Sequence, residues 1–144
     1  MPTDIFGENT NLKTFKNWSK NTLVDHLGIE ILEIGKDYVS GKMPVDHRTH
    51  QPLGLLHGGA SVALAETLGS IAATLTLNTE IQYCVGLEIN ANHIKSAREG
   101  WVYGITKPIH IGKKTQVWEI KITNEDDQLV CISRITMAVI DRKK

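Results

Sequence analysis

Apolar positions change their period along this chain, and each change marks an element. Across residues 9–26, Leu12, Phe15, Trp18 and Leu23 fall near helical spacing, with Asn9 or Thr10 as a possible cap. That spacing predicts a short amphipathic helix lying on the body of the domain. Across residues 27–45 the period drops to two. Ile29, Ile31 and Ile34 precede Gly35-Lys36-Asp37, after which Val39, Gly41, Met43 and Val45 alternate with Tyr38, Ser40 and Lys42. Alternation on either side of a Gly-Lys-Asp turn reads as a hairpin. A polar loop over residues 46–53 then leads to residues 58–77, rich in Ala, Leu and small residues, where Glu66 is the only charge. A helix apolar nearly all round must be enclosed on most sides.

The second half is nearly all strand. Val85, Leu87, Ile89 and Ala91 alternate with Gly86, Glu88, Asn90 and Asn92, and residues 101–106, 116–123 and 129–140 follow as further strands. Turns fall at Arg98-Glu99-Gly100, Ile111-Gly112-Lys113-Lys114 and Asn124-Glu125-Asp126-Asp127. The order is helix, two strands, one long buried helix, four strands. An α+β domain whose antiparallel sheet of about six strands wraps around one central helix satisfies it. Edge strands of such a sheet can be removed by pairing with a second copy.

Composition narrows the function. At 144 residues, 41% hydrophobic and 22% charged, the chain has the size and core material of one ordinary domain. Its 16 basic and 16 acidic residues cancel, which argues against a nucleic-acid partner and a polybasic membrane contact. Cys84 and Cys131 sit in apolar runs without disulfide spacing, as in a reducing compartment. The start, Met1-Pro2-Thr3-Asp4-Ile5-Phe6, is unlike a signal peptide, and residues 54–79 are too polar for a membrane span. A cytoplasmic protein is expected.

The chemistry concentrates around the long helix. Glutamate on a helix is usually solvated, but Val62, Ala63, Leu64 and Ala65 before Glu66 and Leu68, Gly69, Ile71 and Ala72 after it show no solvated face. A carboxylate withdrawn from water is a better proton acceptor, suited to general-base work, and can also attack an acyl carbon directly. Upstream, His57-Gly58-Gly59 places two residues without side chains where the first helical N–H groups lack partners. Such an end can be a plain glycine-rich helix start. Aimed at a tetrahedral oxyanion, one such donor is worth about 3 kcal/mol of barrier. Gln51 could donate its amide to a carbonyl or merely brace its loop. Ser70, four residues after Glu66, shares its helical face and could place a water or simply pack closely.

Glu66 lies eight residues after Gly58, which is about 12 Å along the axis at ~1.5 Å per residue. One helix cannot easily aim both groups at one carbonyl. Two antiparallel copies about a twofold axis can, so the spacing points to a composite site. No metal site is expected, since Asp46, His47 and His50 lack a completing set of spaced ligands. Phosphate-loop, dinucleotide and Gly-x-Ser-x-Gly motifs are missing as well.

These residues carry a family resemblance over roughly residues 27–140. Met43-Pro44-Val45-Asp46, the run from Gln51-Pro52-Leu53-Gly54-Leu55-Leu56-His57-Gly58-Gly59-Ala60-Ser61, Leu64-Ala65-Glu66-Thr67 and Gly69-Ser70 resemble the hotdog thioesterases of the PaaI type. Within them the chain is similar to the branch holding the 1,4-dihydroxy-2-naphthoyl-CoA hydrolase of menaquinone synthesis and a proofreading relative from enterobactin synthesis. Gly86-Leu87-Glu88-Ile89-Asn90-Ala91-Asn92-His93, Ser96-Ala97-Arg98-Glu99-Gly100, Lys107-Pro108 and Gln116-Val117-Trp118 fit that branch too. The resemblance implies a hotdog fold over residues 27–144. It carries nothing onto residues 1–26, where the apolar spacing alone predicts a helical segment packing on the domain.

It also implies roles. Glu66 matches the catalytic carboxylate, His57 a residue that orients the thioester, and Gln51 and Gly58 the groups that polarise its carbonyl. Ser70 matches a residue that places the water. His93, Lys95, Ser96, Lys113 and Lys114 match contacts to the CoA nucleotide. Close relatives tend to carry Arg at the Lys95 position and Ser-Arg at Lys113-Lys114. Lysine keeps the charge but not the bidentate geometry, so the difference bears on CoA affinity rather than chemistry. The expectation is hydrolysis of an acyl-CoA, aromatic by resemblance, by a homodimer or homotetramer needing no cofactor. A hotdog hydratase or dehydratase is one rival, but it would carry His-Phe-Pro where this chain has His-Gly-Gly. A non-catalytic acyl-CoA-binding module is another, against which the retained Glu66 speaks.

Overall fold

The computed structural model describes residues 4–6 and 12–143, so the suggested caps Asn9 and Thr10 lie outside the described residues. Two short helices, α1 (Leu12–Ser19) and α2 (Leu23–His26), replace the single one expected. The break has a local cause. Asn21 takes a left-handed backbone (φ 61°), which asparagine tolerates but a continuing helix does not, and Thr22 then opens α2 in extended conformation. Gly28, also left-handed (φ 74°), ends α2, with the Ile29 N–H donating back to the Val24 carbonyl at 3.0 Å.

The hairpin forms as expected from β1 (Glu30–Ile34) and β2 (Val39–Pro44). The long helix α3 (Gly58–Leu75) follows, then β3 (Gln82–His93), β4 (Trp101–Ile111), β5 (Thr115–Thr123) and β6 (Leu129–Asp141). All pairings are antiparallel, in the order β1-β2-β4-β5-β6-β3. The chain leaves β2 near one edge, crosses through α3, and begins β3 at the opposite edge. The curved sheet holds α3 against β2, β3, β4, β5 and β6. This is the hotdog arrangement.

Alternation along β2, β4, β5 and β6 sends Met43, Val102, Trp118, Ile120, Ile122, Ile135 and Met137 inward to meet Leu64, Leu68 and Ala72 of α3, all essentially fully buried. A polar chain runs through this core. The Trp118 indole N–H donates to Gln116 Oε1 (2.8 Å), and the Gln116 amide donates to Thr76 Oγ1 (2.8 Å), tying the end of α3 to β5.

Two strands differ from expectation. β4 runs past Thr106 to Ile111, carrying Pro108 next to a register shift between Pro108 and His110, where a residue without an N–H is tolerated. β3 bulges between Gly86 and Glu88. The extra residue breaks the alternation, so Ile89 and Ala91 pack on the core while Val85 and Leu87 stay exposed.

Candidate active site

His57 caps α3. Its extended backbone (φ −66°, ψ 129°) precedes the first turn, and its Nδ1 accepts the Gly59 N–H at 2.8 Å. With Nδ1 accepting, the neutral ring carries its proton on Nε2, which leaves an N–H donor on an exposed side chain. The His57 carbonyl takes the N–H groups of Ala60 (2.9 Å) and Ser61 (3.2 Å). The Gly58 N–H meets no acceptor among the described residues. A Cβ on Gly58 would stand 2.7 Å from His93 Nε2, so glycine is what allows the imidazole of β3 to lie over the helix start.

The loop before the helix is held from several directions. Asp46 accepts from Arg48 (Nη2–Oδ2 2.7 Å), and these hydrogen bonds hold its carboxyl at about 2, well below the usual range. The Gln51 N–H donates to the Leu55 carbonyl, and Gln51 Oε1 accepts the Leu53 N–H, so the side-chain oxygen braces the loop while the amide NH₂ is left to donate. His50 is spent on structure, with its Nε2 2.8 Å from the Arg98 carbonyl. No group of three or more metal-binding side chains comes together among the described residues.

A groove of about 360 Å³ brings Gln51 and Gly58 together with His93, Lys95 and Ser96. Glu66 is elsewhere. It shares a groove of about 340 Å³ with Ser70, Thr67 and Ile71 of α3 and with Phe15, Trp18 and Val24 of the N-terminal helices. Ser70 Oγ lies 4.0 Å from Met137 Sδ. Contrary to the enclosure expected from its apolar flanks, Glu66 is exposed in the single chain. The sheet buries the side of α3 that carries Leu64, Ala65, Leu68 and Ala72. The carboxylate lies against β3, where a Cβ on Gly86 would stand 2.7 Å from Glu66 Oε2. Gly86 was missed from the sequence as a site residue. The signal was there, since an isolated glycine in a strand marks close approach.

Lys113 and Lys114 do not join the other basic residues within one chain. The Lys114 carbonyl accepts the Val139 N–H, and Val139 pairs with Cys84 at the start of β3, whereas His93 pairs with Cys131 at its end. Those ends are nine residues apart, roughly 30 Å of strand. Both thiols are free and pushed above their ordinary value by burial, that of Cys84 partly offset by a hydrogen bond with Thr74. They are poor nucleophiles at neutral pH. No described helix is long and apolar enough to cross a membrane.

Comparison with known proteins gives the family and supports the fold. Residues 53–131 match the thioesterase superfamily. The chain is 48% identical over 136 residues to the 1,4-dihydroxy-2-naphthoyl-CoA hydrolase of Escherichia coli, covering 94% of this chain and 98% of that one. It is equally 48% identical over 136 residues to the proofreading thioesterase EntH of Cronobacter turicensis, with 94% and 98% covered. The crystal structure of a mutant thioesterase from Pseudomonas aeruginosa superposes with a TM-score of 0.94 at 44% identity, covering 96% of this chain and 99% of that one.

Proposed function

Because this chain belongs to the thioesterase superfamily and is a thioester hydrolase, we propose that it cleaves aromatic acyl-CoA thioesters in a site built by two copies. The observation that carries this reading is the separation of Gly58 and Glu66 into different grooves on α3, with Glu66 beside the unpaired edge strand β3. Twofold pairing of two β3 edges sets two α3 helices antiparallel. Each Gly58 then faces Glu66 of the partner subunit. The same pairing brings the His93 end of one β3 to the Lys113-Lys114 end of the other, giving CoA phosphates cations from both chains.

The substrate carbonyl sits at the Gly58 N–H, with the Gln51 amide as second donor and His57 Nε2–H orienting the thioester. Glu66 of the partner subunit acts as general base, taking a proton from a water placed with Ser70, or as nucleophile on the same carbon. Addition moves charge onto the carbonyl oxygen, where the helix end is already oriented to receive it. The tetrahedral adduct then expels the thiolate. On the general-base route the acid forms at once and the proton held by Glu66 passes to the sulfur. On the nucleophile route a mixed anhydride forms on Glu66 and water hydrolyses it, supplying the proton for the CoA thiol and restoring the carboxylate. The names of the relatives support 1,4-dihydroxy-2-naphthoyl-CoA as the first substrate to try.

The test is thiol release from benzoyl-, 1,4-dihydroxy-2-naphthoyl- and hexanoyl-CoA by wild type and Glu66→Gln. Release that collapses in the variant supports the reading, with the aryl esters expected to lead. Equal release by both proteins, or none by wild type, contradicts it.

A further inference from the structure

The family resemblance assigns no function to the N-terminal helices, yet they form one wall of the groove that holds Glu66. Phe15 of α1 is buried, and Trp18, one turn later, stands edge-on to it, with ring centroids 5.4 Å apart and planes at 87°. Trp18 is nevertheless 61% exposed. An indole fixed by a second ring but left mostly in water offers a flat apolar surface whose desolvation awaits another molecule. Val24 and Ile71 line the same groove as Trp18 and Glu66. The groove, about 340 Å³, falls in the range of small-molecule pockets. The left-handed residue Asn21 separates α1 from α2; α1 packs on β1 and α2, and α2 packs on α3.

We infer that Trp18, backed by Phe15, is a specificity-determining residue that holds a planar acyl group whose carbonyl is attacked at Glu66. This rests on the reading of Glu66 as the catalytic carboxylate. A planar ring gains edge or face contact with the indole that a flexible aliphatic chain cannot match without being ordered. Trp18 therefore selects aryl over alkyl thioesters, and the N-terminal helices belong to the site rather than merely covering the sheet.

The experiment compares kcat/KM for benzoyl-CoA and hexanoyl-CoA in wild type, Trp18→Ala and Trp18→Phe, with sedimentation and thermal unfolding on each protein. Trp18→Ala is expected to lower the aryl-to-alkyl ratio about five- to tenfold, the size of one aromatic contact. Trp18→Phe is expected to restore most of it. An unchanged ratio overturns the inference, whatever happens to the individual rates. So does an equal loss on both esters together with dissociation of the oligomer, which would make Trp18 a subunit contact. A wild type that hydrolyses neither ester overturns the thioesterase reading and this inference with it.

Discussion

The two faces of α3 share one backbone but have different neighbours. The inner face, Ala60, Leu64, Ala65, Leu68 and Ala72, is buried beneath the sheet, where removing apolar surface from water stabilises the fold. The outer face, with Ala63, Glu66, Thr67 and Ser70, is left part-open and carries the one charge. Substitution on the first should therefore be felt as stability, and on the second as activity. A glutamate directed inward would have needed a buried partner. On the outer face water solvates it in the single chain, and the missing side chain of Gly86 leaves it room against β3.

The largest expected effect is on the outer face. Glu66→Gln, nearly isosteric, should lower kcat on the best thioester on the order of 10³-fold. Its thermal midpoint should stay near that of wild type, and a comparable loss of both would merge the two faces. Next is Leu68→Ala on the inner face. Leu68 is completely buried, with its methyls against Gly41 and Gly104 of the sheet. The truncation should cost about 2–5 kcal/mol in denaturant unfolding. Any protein that remains folded should retain thiol release. The smallest effect sits where the faces meet. His57→Ala removes the bond to the Gly59 N–H and should cost about 1 kcal/mol of stability. It should also raise KM, because the ring's Nε2–H is lost along with the cap. A stability loss with unchanged kinetics would leave His57 as a cap alone.

Much of this molecule was legible in the sequence because one rule, apolar inward, acts locally. Period two on either side of Gly35-Lys36-Asp37 gave the hairpin, and the unbroken apolar run with one charge gave α3. What escaped depended on long-range geometry. The strand read over residues 101–106 continues to Ile111, and its passage through Pro108 goes with a register shift that only the pairing shows. The bulge in β3 reverses the face of Val85 relative to Ile89. His93 and Lys114 read as belonging to two different strand ends, but only the sheet shows that those ends lie at opposite ends of β3. The openness of Glu66 was hidden for another reason: apolar flanks indicate that a surface will be covered, but not whether the cover comes from the same chain. The aromatic pair on α1 was legible only as helical spacing, since nothing in it pointed to Glu66.

The claim that one site needs two chains can be tested by complementation. Glu66→Gln removes the carboxylate, and Gly58→Ala pushes a methyl into the space beside His93 at the helix start. Each variant alone should be nearly inactive. Co-refolded in equal amounts, they should recover about a quarter of wild-type thiol release, because half the dimers are mixed and each mixed dimer holds one intact pair. Recovery near that level establishes the shared site. Mixed, subunit-exchanged protein that stays as inactive as its parents would mean that Gly58 and Glu66 work within one chain, and the account would fail.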